Sequence, residues 1–404
     1  MKILLTSDIN YEFICGSNRF VKNLGYWLKK KGHTVLMVTP SPSGESGYYE
    51  YEGMKIYGVS AIPSFVQKTL RLSPFSFFLK RSLQKVVEDF QPDVIHIQSH
   101  FFNPYVLVRI AGQMGIATVG TNHFVPENVV PIVRIPRVLT QTIEKLLWKH
   151  LHWAFGKVGI VTTPTETAAA ILRGSGFRKK VQVISNGIDL SRYFADRASG
   201  EYLKKRYHLP DKKILLFVGR LDPEKHIEVV LRALPAALKK IDLHFVVAGR
   251  GAEAKALKAL AAELDVEAHV TFTDFVPDED LPFLYRIADA FVNAGTAELQ
   301  CIAMMEAMAT SLPVLAVDAM ALHELVLEGE NGTLFAPGDS EGLAEQMVSL
   351  FSDETKMARM GKRSRELVEV HDIQKVITAF EDLYQEGLGK TTKRVIKGCD
   401  ETRS

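Results

Sequence analysis

Short apolar runs alternate along the whole chain with amphipathic stretches of helical length. In the first half these runs lie at Lys2–Thr6, Thr34–Thr39, Val94–Ile97, Ala117–Thr121, Gly159–Thr163 and Val181–Ile184. In the second half they lie at Ile214–Val218, His244–Ala248, Val270–Phe272, Ala290–Asn293, Val314–Ala316 and Thr333–Phe335. Helical patterns lie between them, such as Arg19–Lys31, which Gly32 closes. Alternating strands and helices predict α/β architecture with parallel sheets and right-handed crossovers.

Two such series predict two doubly wound, Rossmann-like domains, because a barrel would need eight evenly repeated units. The polar stretch Asn186–Lys213 separates the series, so we expect domains at residues 1–190 and 191–370. A last helix, Ile373–Glu386 within residues 371–387, is expected to pack across the domains, and residues 388–404 to form a flexible tail. Ligands of open parallel sheets bind beyond the carboxyl ends of the strands, which predicts a site in a cleft between the domains.

Composition and charge narrow the class of protein. The 404 residues are 47% hydrophobic and 24% charged, which is ordinary for a globular chain. Three cysteines make no disulfide framework, and no apolar run approaches about 18 residues, so we expect a cytoplasmic protein without a spanning helix. Residues 1–190 carry 22 basic and 12 acidic side chains, whereas the remainder carries 27 and 35. The basic half predicts an anionic partner, and without nucleic-acid-binding motifs a membrane surface is favoured over nucleic acid.

The first cluster with chemical potential follows the strand Ile214–Val218 and reads Gly-Arg-Leu-Asp-Pro-Glu-Lys. Gly219 allows a sharp turn, and Arg220 and Lys225 stand near the start of a helix. Forked guanidinium groups, ammonium groups and free helix N–H groups are suited to binding a diphosphate. A solvated surface turn with an Arg–Glu ion pair is the alternative interpretation of the same residues.

The second cluster contains two carboxylates eight residues apart, Glu298 in a loop and Glu306 inside a helix. Eight residues span about 12 Å of helix axis. That separation is too long for the paired carboxylates of a glycosidase, but it suits a protein that grips two ends of an elongated ligand. Glu306 lies among apolar neighbours, so its carboxylate needs a partner.

Together these motifs resemble a retaining glycosyltransferase of the GT-B fold, in the large family four that includes bacterial glycolipid (diacylglycerol) transferases. The resemblance rests on Gly219-Arg220-Leu221 with Glu224-Lys225, on Glu298 and Glu306, and on Ala307-Met308-Ala309 with Pro313-Val314. Further matches are Asn186-Gly187-Ile188-Asp189, Val276, and Leu284-Tyr285 with Ala288-Asp289. Each motif is weak, but the ordered set covers most of the chain.

The resemblance implies a role for each matching residue. Arg220 and Lys225, after Gly219, would hold the diphosphate of a nucleotide sugar. Glu306 would bind the ribose hydroxyls, Glu298 the transferred sugar, and the backbone of Val276 the base. The N–H groups around Gln300, Cys301 and Ile302 would help to bind phosphate or sugar. Gly16 and Ser17 take the place of the glycine-rich loop of the family, and His123 that of its histidine near the reacting carbon. No metal and no cofactor are expected.

Four positions depart from the family pattern. Cys301, Ser311 and His226 stand where many members have glycine, and Ser17 replaces the second glycine of the N-terminal loop. Each change adds a side chain where backbone approaches the ligand or needs a positive φ. We expect altered donor geometry rather than lost activity.

Several other patterns have simpler explanations than a metal or redox site. Asp278-Glu279-Asp280 resembles a metal motif but is better suited to a helix N-terminus. The pairs His96/His100 and His150/His152 lack further ligands, and Gly249-Arg250-Gly251 fits a strand-to-helix turn. Cys15 and Cys301 have no neighbour that predicts a reactive thiol, and Cys301 fits a packing role.

Two stretches of the basic half, Ser64–Lys85 and Arg134–Lys157, interleave aromatic and aliphatic residues with Lys and Arg. Such helices suit the headgroup region of anionic lipid, although apolar faces buried in the core explain the pattern equally well. The segment His123–Asn128, which leads to the second stretch, resembles a pattern of glycolipid-forming members.

The sequence therefore predicts a cytoplasmic hexosyltransferase, bound peripherally at the inner face of the cell membrane. UDP-glucose is the first choice of donor and a lipid hydroxyl such as that of diacylglycerol the first choice of acceptor. The alternatives are transfer to a soluble or polyprenyl-linked saccharide, a sugar-nucleotide epimerase, and an inactive nucleotide-binding scaffold.

Overall fold

The chain divides into two compact units, one formed by Met1–Asn186 with Gln374–Ser404 and the other by Gly187–Ile373. The computed structural model describes residues 1–13, 15–64, 70–74, 77–126, 137–193 and 200–401. The change from the first unit to the second falls four residues before the predicted limit at residue 190, within the polar stretch that begins at Asn186.

The first unit is built on an eight-stranded sheet with the order β10-β9-β8-β7-β1-β2-β4-β3. Its strands and the short β5–β6 pair are β1 Lys2–Thr6, β2 Thr34–Pro40, β3 Gly47–Tyr51, β4 Met54–Val59, β5 Ile62–Pro63, β6 Arg71–Leu72, β7 Val94–Ile97, β8 Ala117–Thr121, β9 Ile160–Thr163 and β10 Val181–Val183. Neighbouring strands of the large sheet are parallel except β3, which pairs with β4 as an antiparallel edge hairpin. The six parallel strands predicted for this half are confirmed.

Helices pack on this sheet through apolar stripes. They are α1 Gly16–Lys30, α2 Phe77–Phe90, α3 Phe102–Met114, α4 Arg137–Phe155 and α5 Glu166–Gly174. In α1 the buried residues include Phe20, Leu24 and Leu28, spaced as one helical face. Strand β7 contributes Ile95 and Ile97 to the core.

A long helix from the far end of the chain completes the first unit. It spans Ile373–Glu401, where the sequence predicts a helix to residue 387 followed by a flexible tail. Phe380 and Tyr384 of this helix are fully buried. The Tyr384 hydroxyl lies 2.8 Å from Nδ1 of His96, so the helix is joined to β7 by a buried hydrogen bond.

The second unit contains a six-stranded parallel sheet with the order β13-β12-β11-β14-β15-β16. Its strands are β11 Lys213–Val218, β12 Leu243–Ala248, β13 Val270–Asp274, β14 Ala290–Asn293, β15 Val314–Val317 and β16 Gly332–Phe335. Its helices are α6 Glu201–Arg206, α7 Ile227–Ala237, α8 Ala254–Glu263, α9 Leu281–Ile287, α10 Ile302–Ala309, α11 Ser340–Phe351 and α12 Glu354–Val368, and the helix Ile373–Glu401 is numbered α13. Every strand predicted for this half is present.

The two segments at which the chain enters and leaves the second unit are hydrogen-bonded to each other. The N–H of Ile188 donates to His371 O at 2.9 Å, and the N–H of Ile373 donates to Ile188 O at 2.9 Å. The motif Asn186-Gly187-Ile188-Asp189 is therefore where this unit begins, and the Asp189 side chain accepts from the N–H of Ser191.

None of the helices in the described residues is both long and apolar enough to cross a bilayer. Among those same residues, no cluster of three or more His, Cys, Asp or Glu side chains has an arrangement suited to a metal ion.

Candidate functional site

Two neighbouring strands of the second unit bring the two sequence clusters together. Strands β11 and β14 are adjacent and parallel, so the loops after their carboxyl ends meet at one edge of the sheet. Lys225 belongs to the first loop and Glu298 to the second, and the Lys225 Nζ donates to Glu298 Oε1 at 2.6 Å. Burial opposes a charge on Lys225, but the Glu298 carboxylate outweighs it and raises the pKa of the lysine. A charged, desolvated ammonium group is thereby held at the strand ends.

The guanidinium of Arg220 is held in place by both acidic residues of its own loop. It donates to Asp222, and its Nη2 donates to Glu224 Oε1 at 2.8 Å. The Arg–Glu pair of the alternative interpretation is therefore present. Arg220 keeps 36% of its side chain exposed, whereas the side chains of Lys225 and Glu298 are 18% and 15% exposed. The cation is positioned in advance and remains accessible to an anionic ligand.

Glu306 has the partner that its apolar surroundings require. It lies in α10 and is 3% exposed, and the hydroxyl of the fully buried Tyr285 donates to its Oε2 at 2.9 Å. Tyr285 belongs to the Leu284-Tyr285 motif in α9. Residues of two separate family motifs are therefore in direct contact.

Glycines shape the edge of this sheet. Gly249 has a φ of +146°, and a Cβ there would collide with the carbonyl oxygen of Gly219. A Cβ on Gly251 would collide with the backbone of Leu221. These glycines let the end of β12 approach the Arg220 loop, with the N–H of Leu221 donating to Arg250 O at 2.9 Å. The strand-to-helix turn predicted for Gly249-Arg250-Gly251 is confirmed.

The remaining donor-binding predictions fall at the start of α10 and after β13. Cys301 is the N-cap of α10 and Ile302 its first residue, and Gln300 is 7% exposed. Asn293 Nδ2 lies 3.0 Å from the Cys301 sulfur, and burial raises the pKa of this thiol to about 12. The buried, protonated thiol of Cys301 fits the packing role predicted for its side chain. Val276 is buried two residues beyond the end of β13.

The substitutions of family glycines do not prevent positive φ. His226 has a φ of +48° and Ser311 a φ of +61°. The ring of His226 also joins the two loops, with Nε2 3.2 Å from Thr296 Oγ1 and Nδ1 3.0 Å from Glu228 Oε1. His226 and Ser311 therefore adopt the positive φ that glycine would allow, at some conformational cost.

In the first unit, Gly16 and Ser17 form the N-terminus of α1, beyond the carboxyl end of β1. The N-cap residue Cys15 makes no side-chain capping bond, and the first turn has no acidic residue. A Cβ on Gly16 would meet nothing within 4 Å. A helix N-terminus without a side-chain cap or an acidic residue in its first turn suits an anionic group.

His123 follows β8, in a turn that Asn122 shapes. The Asn122 side chain accepts from the N–H of Phe124 and donates to its carbonyl. His123 Nε2 lies 3.1 Å from Gln98 Oε1, and the ring packs on Phe20 with centroids 5.1 Å apart. Burial lowers the pKa of His123 to about 4, so the imidazole is neutral near pH 7.

Three residues of this region escaped prediction because isolated amides carry no motif. Gln98 and Asn122 are two of them. Asn18 is the third, and its Nδ2 donates to the carbonyls of Asn10 and Phe13, both at 2.8 Å. It fixes the loop between β1 and α1. Gln98 could have been found from its position, because it is a polar residue directly after the predicted strand Val94–Ile97.

The acidic residues Asp278 and Asp280 lie at a helix N-terminus, as predicted, and His96 is bonded within the core. Asp280 is the N-cap of α9, accepting from Tyr202 and Arg206, and Asp278 pairs with Arg192 at 3.3 Å. His96 is fully buried, and its Nε2 lies 2.7 Å from Thr121 Oγ1. No metal set forms at either place among the described residues.

Helix α4 divides its predicted basic stretch between core and surface. Leu151, Ala154 and Phe155 are buried. Leu146 is 60% exposed and Trp153 46%, and they share a face with the exposed Lys145 and Lys149. Residues 134–136 of this stretch, 65–69 and 75–76 of the other, and 127–128 of the adjoining segment lie outside the described residues.

Comparison with known proteins identifies the class. Residues 200–367 match the family Glycosyl transferases group 1, and residues 14–192 match Glycosyltransferase Family 4. The structure of HepE from Anabaena in complex with UDP-glucose is similar over 96% of this chain and all of the other, with a TM-score of 0.76 and 18% identity. The two family matches and the fold thus define a GT-B glycosyltransferase.

Curated relatives agree with this class. The alpha-monoglucosyldiacylglycerol synthase of Streptococcus pneumoniae is 28% identical, over 83% of this chain and 75% of its own. That of Acholeplasma laidlawii is 24% identical over 98% of this chain and 100% of its own. The chain belongs to the family-four glycosyltransferases.

Proposed function

We propose that this glycosyltransferase moves glucose from UDP-glucose to the hydroxyl of a membrane lipid such as diacylglycerol, with retention of configuration and without a metal. The observation that carries the proposal is the Lys225–Glu298 pair beside Arg220, at the ends of β11 and β14. The two relatives named as alpha-monoglucosyldiacylglycerol synthases support the choice of acceptor, and the UDP-glucose complex of the Anabaena protein supports the choice of donor. UDP-glucose is an α-glucoside, so an α-linked product means retention.

The second unit supplies the groups that a nucleotide diphosphate needs. Arg220 and Lys225 are cationic and already oriented, so little reorganisation is needed when negative charge develops on the leaving phosphate. Glu306 is held by Tyr285 as an acceptor for ribose hydroxyls. Charge stabilisation by these side chains and by helix N–H groups takes the place of a divalent cation.

In the transfer step the acceptor oxygen bonds to the anomeric carbon while the bond from that carbon to the phosphate oxygen breaks. The acceptor proton passes to the departing phosphate, on the same face of the sugar. Glu298 orients the sugar hydroxyls, and neutral His123 offers a further hydrogen bond to the sugar. No side chain is required as a nucleophile.

Helix α4 supports a membrane-bound acceptor. Its exposed face carries Lys145 and Lys149 with Leu146 and Trp153, a combination suited to anionic headgroups and the acyl boundary. The Trp153 ring stacks on Tyr105 with centroids 4.3 Å apart, and Lys157 Nζ lies 5.6 Å from the Trp153 centroid. These features support the proposal that the protein binds peripherally to the membrane, and we propose the cytoplasmic face as the side.

A transfer assay with the purified chain tests the proposal. The assay offers labelled UDP- and GDP-sugars with liposomes of diacylglycerol and anionic lipid, or with soluble saccharides. The expected result is labelled lipid from UDP-glucose, with no loss of rate in chelator, and an α-anomeric product by NMR. Label transferred only to a soluble saccharide would overturn the lipid acceptor, and nucleotide binding without transfer from any donor would support the inactive scaffold.

A further inference from the structure

The side chain of Gln98 is the direct polar contact of His123. Gln98 directly follows β7, and its N–H donates to Thr6 O at 2.9 Å, which anchors it to β1. His123 lies two residues beyond the adjacent parallel strand β8. The side chains meet with Gln98 Oε1 3.1 Å from His123 Nε2, and Gln98 is only 4% exposed.

The imidazole also packs against an aromatic side chain. Phe20 packs on the ring with centroids 5.1 Å apart, and Phe380 packs on Phe20 at 5.8 Å. Gln98 therefore contacts one edge of the ring, and Phe20 packs against it at an interplanar angle of 54°. The orientation of His123 is therefore determined by residues outside the matched motifs.

The chemistry of this contact selects one form of the ring. With Gln98 Oε1 turned toward the ring, His123 Nε2 is the donor and carries the hydrogen, because an amide oxygen only accepts. Burial lowers the pKa of His123 to about 4, and the neighbouring His96 is also neutral, with a pKa lowered to about 3. A neutral ring with its hydrogen on Nε2 has its lone pair on Nδ1.

We propose that Gln98 is the positioning residue that holds His123 as the neutral Nε2–H tautomer, so that Nδ1 accepts a hydrogen bond from a hydroxyl of the bound sugar. The inference rests on the proposed function, because it assigns His123 to the sugar. It extends that function by naming which nitrogen faces the substrate and which residue fixes it. A sugar hydroxyl would then be recognised as a donor.

Imidazole ¹⁵N chemical shifts test the tautomer without any need for turnover. The protein is labelled at histidine, and His123→Ala assigns the signal. We expect a protonated Nε2 and a bare Nδ1 at pH 7, and Gln98→Leu should mix or reverse the two forms. A hydrogen on Nδ1 in the wild type would mean that the amide is turned the other way, and the proposal would fall.

Two variants test the consequence for transfer. Gln98→Glu places a carboxylate beside Nε2, which should raise the pKa of His123 and make Nδ1 a donor. Its rate relative to wild type should fall about tenfold for each pH unit below the raised pKa. Gln98→Leu should lose about tenfold to a hundredfold in kcat/KM at all pH values, because the buried N–H is left unpaired. A constant ratio for Gln98→Glu across pH 5.5–8 contradicts the proposal.

A double-mutant cycle separates this role from a general effect on the fold. In a His123→Ala background, Gln98→Leu should cost almost nothing further, because Gln98 acts through His123. A full additional loss would show that Gln98 acts elsewhere. If His123→Ala transfers as well as wild type while the ¹⁵N shifts are as expected, the assigned contact of His123 with the sugar fails and the positioning by Gln98 stands.

Discussion

At the scale of single residues, His96 and His100 are both fully buried but differ in their hydrogen bonding. His96 is bonded through both ring nitrogens, to Tyr384 and Thr121. His100 is fully buried, neither of its ring nitrogens is hydrogen-bonded to any residue that the structure describes, and its ring lies among those of Phe101, Phe124 and Phe155. Burial and the nearby His150 lower the pKa of His100 to about 3. Sequence spacing cannot distinguish these two cases, because the partners of His96 lie on distant segments.

Replacing His100 by Phe should reduce the acid sensitivity of the fold. Below pH 6.5 the unfolded histidine takes up a proton that the folded one refuses down to about pH 3, so stability falls as pH falls through this window. At pH 5 this amounts to about 2 kcal/mol for one histidine. Urea unfolding at pH 8 and pH 5 should show a smaller loss for His100→Phe than for wild type.

A second replacement separates charge from size at this position. His100→Leu removes the same titrating group with a different side-chain volume. It should show the same reduced pH dependence, even if its stability at pH 8 is lower. Equal losses between pH 8 and pH 5 in wild type and both variants would contradict the explanation.

Arg220 is expected to act in catalysis rather than in folding. Its hydrogen-bond partners Asp222 and Glu224 lie in its own loop, so within the described part of the chain Arg220→Ala removes only local hydrogen bonds and ion pairs. Because Arg220 is proposed to stabilise the leaving diphosphate, we expect a loss on the order of 10²–10³ in kcat/KM with little change in thermal midpoint. Arg220→Lys keeps the positive charge but not the forked guanidinium, so its kcat/KM should lie between those of wild type and Arg220→Ala. Wild-type turnover by Arg220→Ala would reject the diphosphate role.

At the scale of elements, the apolar pattern predicted the parallel strands because they are buried on both faces. The edge hairpin of β3 and β4 was missed. Its strand Gly47–Tyr51 is largely exposed, and its turn places Glu52 and Gly53 at positive φ, a pair weaker as a turn signal than Asn-Gly. The charged residues after β11 and β14 were found from their positions after predicted strands, and the family resemblance supplied their roles. The contact between Lys225 and Glu298 could not be predicted without the strand order.

The end of α10 offers a test of helix termination. Ser311 follows the C-cap Thr310 with a φ of +61°, a position that favours glycine. Ser311→Gly should stabilise the second unit by about 1 kcal/mol, which raises its thermal midpoint by about 2–4 °C. Ser311→Ala keeps the Cβ and should give no such gain. Equal midpoints for the two variants in calorimetry would show that the positive φ costs nothing here.

At the scale of the whole molecule, the charge asymmetry and the exposed face of α4 both support the proposed binding to an anionic membrane. The basic half of the chain carries Leu146 and Trp153 exposed beside Lys145 and Lys149. Apolar contact and attraction to anionic lipid act together in such binding, and salt screens only the second. The excess of basic residues in the first half can be counted from the sequence. Only the fold shows which apolar residues of Arg134–Lys157 lie outside the core.

Binding to liposomes should depend on this face. A Leu146→Ser, Trp153→Ser variant should bind anionic liposomes at least tenfold more weakly in sedimentation, because two apolar side chains lose their contact with lipid. Wild-type binding should also weaken as salt is raised from 0.05 to 0.5 M. Val370→Ser is the matched control, since Val370 is 66% exposed in the other unit. An equal loss in the control would assign the effect to general hydrophobicity.

The first unit is synthesised first but is expected to complete its folding last. Phe380 and Tyr384 complete the core of the first unit, yet a ribosome delivers them only after residues 187–373. Until then Phe20 and His96 lack the side chains that shield them from water. The second unit is expected to finish folding during synthesis while the first waits, open at β7 and α1, for α13 to emerge. Truncation at residue 373 should therefore leave a nascent first half that is recognised by chaperones beside a fully folded second half.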